Sequence, residues 1–144
     1  MGKGGAYFKP RYIKVFGNSV HIDDYPTLIG ASDANIQFTS WNIGDNQGEI
    51  IIGKYSLITP GVRIMAAEKI EIGDACMIAH GAYISDADWH GIYDRAEPVG
   101  KTKPINIKGK VSSFGMIKCF RSIKKIITKN ILKTINNNVV TLNP

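Results

Sequence analysis

Aliphatic residues recur every six positions in the middle of the chain, at Ile52, Ile58 and Ile64, and after a two-residue insertion at Ile72, Ile78 and Ile84. A helical face repeats near 3.6 residues and a half-buried strand near 2, so a period of six predicts short straight segments joined by regular corners. The residue four places after the aliphatic is small or slim, at Ser56, Val62, Cys76 and Ala82. The residue directly after the aliphatic is also compact, at Gly53, Thr59, Gly73 and Ala79. Each side of such a coil points one aliphatic inward, and a compact neighbour fits the corner. Three sides close one turn of a prism, and stacked turns pair as parallel strands about 4.8 Å apart. A single turn is too thin to bury its own apolar face, so the turns must stack.

On either side of this run the beat weakens. Ile22 and Leu28 fit it and Ile36 is displaced, while Gly44 to Gly48 has the composition of a turn. One or two imperfect capping coils are therefore expected from Val15 to about Ile52. Residues 1–14 are Gly-rich and basic, which predicts a frayed start before any coil. After Ile84 the beat stops for the polar stretch DADWHGIYDRAEPVGKTKP and resumes at INIKGKV, with Ile107 and Val111 in the aliphatic and small positions. A polar excursion over 85–104, bounded on both sides by coil, reads as a loop thrown out from the prism wall, where function concentrates.

From Ser112 the pattern changes again. Met116, Phe120, Ile123, Ile127, Ile131 and Ile135 step by three and four with Lys and Arg between them. That spacing predicts an amphipathic helix from about 114 to 135, ended by Asn136, Asn137 and Asn138. The expected organisation is a mostly β solenoid over 1–111, with the excursion at 85–104, and a basic helical tail over 112–144.

Charge adds one distinction. The net +6 of the 144-residue chain lies entirely in the tail, because residues 1–111 hold 12 basic and 12 acidic residues while 112–144 hold six basic ones and no acid. Of the aromatic residues only Phe120 interleaves with those cations, which argues against a nucleic-acid surface. No apolar run approaches the ~18 residues of a membrane span, and MGKGGAYFKPRY lacks the apolar centre of a signal peptide, so a cytoplasmic protein is the expectation. Cys76 and Cys119 form no metal or disulfide spacing, and Cys76 occupies a small-residue slot of the coil.

The five hexapeptides that begin with an aliphatic residue, together with SDADWHGIYDR behind them, resemble the hexapeptide-repeat acyltransferases, in particular the sugar and antibiotic O-acetyltransferases. The resemblance implies a left-handed parallel β-helix, a homotrimer, and transfer of an acetyl group from acetyl-CoA to a hydroxyl of a sugar or glycan-like acceptor. It further implies that His90, in the excursion, is the catalytic base. An alcohol is a poor nucleophile while protonated, and a neutral imidazole can take the proton at pH 7. Asp88 or Asp86 would orient or support the imidazolium, with Asp94 a less favoured partner. Trp89 and Tyr93 are candidates for an aromatic wall against a sugar ring, or for packing that pins the loop to the coil. His80, two residues after an inward Ile, faces outward and is a candidate contact at a neighbouring subunit. His21 belongs to no motif.

The family continues with further coils along which coenzyme A lies, and this chain departs from that pattern at Ser112. An impaired enzyme and a non-catalytic scaffold therefore stand beside the active one, the scaffold using its basic tail helix to meet an acidic partner or an anionic membrane surface, or to cap the open end of the coil. A γ-class carbonic anhydrase needs two of its histidine ligands five residues apart, whereas His80 and His90 are ten apart and His21 is remote, so no metal ligand set is expected.

Overall fold

A computed structural model of the chain describes residues 2–90, 96, 100–109, 112–113 and 116–118. The first circuit of the chain comprises β1 (Ala6–Phe8), β2 (Ile13–Phe16) and β3 (Val20–Ile22), with a single 3-10 turn, Pro10–Tyr12, at the corner between β1 and β2. The second comprises β4 (Thr27–Ile29), β5 (Ile36–Ser40), a small antiparallel hairpin of β6 (Asn42–Ile43) and β7 (Asn46–Gln47), and then β8 (Glu49–Ile52). Next come β9 (Leu57–Ile58), β10 (Arg63–Ala66) and β11 (Lys69–Ile72), followed by β12 (Met77–Ile78), β13 (Tyr83–Ser85) and β14 (Ile105–Ile107). Finally β15 (Ser112–Ser113) and β16 (Met116–Lys118) begin a further circuit.

Every strand of the wall pairs in parallel with its counterpart one circuit away, giving three faces: β1-β4-β9-β12-β15, β2-β5-β10-β13-β16 and β3-β8-β11-β14. We call these faces A, B and C in the order the chain visits them. The result is a parallel β-solenoid, as the period of six requires.

The register places like on like. Ile22, Ile52, Ile72 and Ile107 stack on face C, Leu28, Ile58 and Ile78 on face A, and Phe38, Ile64 and Ile84 on face B. All of them are buried, as are the small-slot residues Ser56, Val62, Cys76 and Ala82. The two-residue insertion in the beat also has a physical account. Face C turns two aliphatics inward per strand, Ile50 with Ile52 and Ile70 with Ile72, so the side that ends at Ile72 is longer than the others.

At the corner entering face A, Gly4, Tyr25, Tyr55 and Ala75 all adopt the left-handed backbone region. They stack on one another through backbone hydrogen bonds from Tyr25 to Lys3, Tyr55 to Asp24 and Ala75 to Lys54. The Tyr25 and Tyr55 rings lie parallel, with centroids 5.2 Å apart. A Cβ in that region costs about 1–2 kcal/mol, of which glycine's greater loss of chain entropy would return about 0.5–1. Ala75→Gly is therefore expected to raise stability by about 0.5–1 kcal/mol, seen as a higher urea midpoint at unchanged slope.

Three expectations are corrected. Residues 6–16 do not fray: β1 and β2 pair with β4 and β5, because their backbone groups find partners on the next circuit even though the side chains break the beat. Pairing also continues beyond residue 111, through β15 and β16. Met116 thus lies in a strand and not in the first turn of a helix. No α-helix is present among the described residues, and the rest of the 114–135 segment lies outside them.

Candidate functional site

Both interruptions of the solenoid emerge at the same corner. The hairpin β6–β7 leaves after β5 and the excursion leaves after β13, each between face B and face C. The intervening circuit turns tightly there through Ala66, Ala67 and Glu68, with Ala66 and Ala67 fully buried. Two insertions therefore flank one short corner, and their side chains can meet across it.

The excursion is anchored at its base. Asp86 is fully buried, and its two carboxylate oxygens accept hydrogen bonds from the backbone N–H groups of Ala67 (2.7 Å) and Glu68 (2.8 Å). Burial pushes its pKa above the ordinary carboxylate range, an effect that these backbone donors oppose without cancelling. The returning strand closes against the outgoing one: Lys103 N–H donates to Asp86, Gly100 N–H donates to Asp88, and Ala87 bridges Thr102. Thr102 Oγ1 then donates to Glu68 Oε2 at 2.6 Å, tying the return to the same corner.

Trp89 lies down on the wall. Its indole Nε1 donates to Ser85 Oγ at 2.9 Å, which accounts for the burial of Ser85 on the outer side of β13. Its ring also meets Trp41 from the base of the hairpin, with centroids 5.7 Å apart and planes tilted by 57°. Trp41 stays 44% exposed. Beneath it a groove of about 400 Å³ runs over the outer side of face B, lined by Phe16, Gly17, Gln37, Thr39, Ser40 and Trp41. Gln37 Nε2 donates to Thr39 Oγ1 at 3.2 Å along its floor.

The residues singled out in the sequence separate in space. His90 follows Trp89 directly and is exposed, at the point where the excursion leaves its anchor. Asp88 is half-buried two residues earlier. Asp86 is committed to the corner, and no hydrogen bond among the described residues joins Asp86 or Asp88 to His90. His80 is exposed at a different corner, between faces A and B beside Gly81, and His21 lies exposed on the outer side of face C. Among the described residues no group of three His, Cys, Asp or Glu side chains is placed to hold a metal ion. Tyr93 and Asp94 lie outside the described residues.

Sequence reasoning did not single out Trp41. The available signal was a tryptophan directly before a turn-rich interruption of the coil, and its partner 48 positions on becomes visible only once the circuits are in register. No helix among the described residues is long and apolar enough to cross a membrane. Comparison with known proteins found no matching family model, no matching curated protein and no matching solved structure.

Proposed function

We propose that the chain is an O-acyltransferase that moves an acetyl group from acetyl-CoA to a hydroxyl of a sugar or glycan-like acceptor. The observation that carries this reading is the anchored base of the excursion on a six-residue solenoid: a buried carboxylate and a backbone bridge fix the segment that leads into His90, and its neighbour Trp89 packs on Trp41, which lines an aromatic groove. In this reading the wall supplies proximity and the loop-borne imidazole a base, the two things an alcohol needs to attack a thioester.

In this mechanism His90 takes the acceptor's hydroxyl proton as the oxygen attacks the thioester carbonyl. The same imidazolium returns that proton to the thiolate as the carbon–sulfur bond breaks. No covalent enzyme intermediate is needed while both substrates are bound together. The donor's diphosphate requires positive charge. Lys101 and Lys108 are exposed and Lys103 is half-exposed, all near the later circuits, where the hexapeptide-repeat enzymes would place that group. A trimer with its cleft between adjacent left-handed prisms belongs to the same proposal.

Calorimetric titration of the purified chain with acetyl-CoA tests it. Saturable binding near one site per chain is expected. Absence of binding by a folded chain would overturn the reading in favour of a non-catalytic scaffold.

A further inference from the structure

We infer that the Trp41 groove is a seat for a neutral sugar ring, with the open face of Trp41 as its platform and Gln37 and Thr39 as its polar floor. Three observations lead there. First, the groove's volume of about 400 Å³ falls in the range of roughly 300–1,000 Å³ typical of small-molecule sites. Second, its lining combines two aromatic rings, Phe16 and Trp41, with one amide and two hydroxyls, from Gln37, Thr39 and Ser40. A pyranose has apolar C–H faces and a polar rim, so aromatic planes beside amide and hydroxyl groups match it on both counts. Third, none of the six lining residues is ionisable. A phosphate, a carboxylate or an amine would enter without a charge partner, at a cost that a neutral sugar avoids. The groove therefore does not suit the diphosphate of a nucleotide.

Trp89 takes a different part. Its indole N–H is engaged with Ser85 and its ring leans on Trp41, so it props Trp41, whose remaining exposure of 44% is the surface offered to the ligand. Because His90 is bonded directly to Trp89, with Cα atoms about 3.8 Å apart, the prop couples the sugar seat to the base. Assigning the bound sugar as the acyl acceptor rests on the acyltransferase reading. Sugar binding itself does not.

The test is a titration of the chain with methyl glycosides of glucose, galactose, mannose and N-acetylglucosamine, and with their β- and α-linked disaccharides, followed by tryptophan fluorescence. At least one of these is expected to give a saturable change. Trp41→Ala should weaken that binding by about tenfold or more, while His21→Ala, on the outer side of face C, leaves it intact. Gln37→Leu, which removes only a polar floor group, should also weaken it and guards against misfolding of the tryptophan variant. No saturable response to any of the sugars, or equal affinity in Trp41→Ala and the parent, would overturn the inference. Sugar binding without acetyl-CoA binding would sink the transferase reading alone. Acetyl transfer to a sugar that is indifferent to Trp41 and Gln37 would sink the sugar seat alone.

Discussion

If the chain is the acetyltransferase proposed above, replacing His90 by Ala is expected to lower its turnover by about 10²–10⁴-fold while leaving the fold and acetyl-CoA affinity in place. The size follows from losing the group that, in the proposed mechanism, accepts the acceptor's proton as its oxygen attacks. The selectivity follows from placement. His90 is exposed in a loop and lies beyond the anchor that Asp86 provides, so its removal vacates no buried space. Steady-state rates with saturating acetyl-CoA, compared with the melting curve of the same variant, check both halves. Unchanged turnover would remove His90 from the chemistry.

The second large effect concerns Asp86. Asp86→Ala leaves the N–H groups of Ala67 and Glu68 without their acceptors beneath the excursion, at about 1–3 kcal/mol for each group. A loss of about 3 kcal/mol is therefore expected, measured as a lower urea midpoint. Asp86→Asn should fall between, because one amide oxygen replaces one acceptor while the amide NH₂ faces the other N–H.

The pH dependence has a definite sign. The folded carboxyl holds its proton to a higher pH than the unfolded one, because burial raises its pKa. The folded state thus binds more protons across the window from the ordinary carboxylate range up to the raised value. Its contribution to stability falls as pH rises through that window and is constant above it. Asp86→Asn removes this slope. A parent chain whose stability in that window is no steeper than the variant's would contradict the assignment. On the proposed transferase reading turnover should also fall in both variants, since the segment leading into His90 is no longer pinned to the corner, and Asp86 would then act as a positioning residue.

Much of the fold was legible because the solenoid writes its geometry into local spacing. An inward residue every six positions with a compact partner four places on is a one-dimensional pattern, and Ile52 through Ile84 took the expected places without exception. The edges were harder to read for the same reason. β1, β2, β15 and β16 are held in the sheets by backbone pairing to a neighbouring circuit, and a backbone hydrogen bond leaves no mark on side-chain order. The step-of-three-and-four pattern predicted a helix from about 114 to 135; Met116 to Lys118 instead align with Tyr83 to Ser85 of the wall and extend it, and the remainder of that segment lies outside the described residues.

The candidate site divides along the same line. The polar excursion, its histidine and its tryptophan stand out as an interruption in a regular text, so sequence alone marked the interruption and put His90 and Trp89 forward as candidates. What sequence alone also established is the period, the inward aliphatics and the small-residue slots, because each depends only on neighbours a few positions apart. Tertiary structure alone decided that the hairpin and the excursion leave from one corner, that Asp86 serves the backbone of Ala67 and Glu68, and that Trp41 meets Trp89. Those contacts join residues 18 to 48 positions apart, and their distance in space is set by how many residues each circuit and each insertion contains. That quantity belongs to the register of the whole coil and to no local stretch of it.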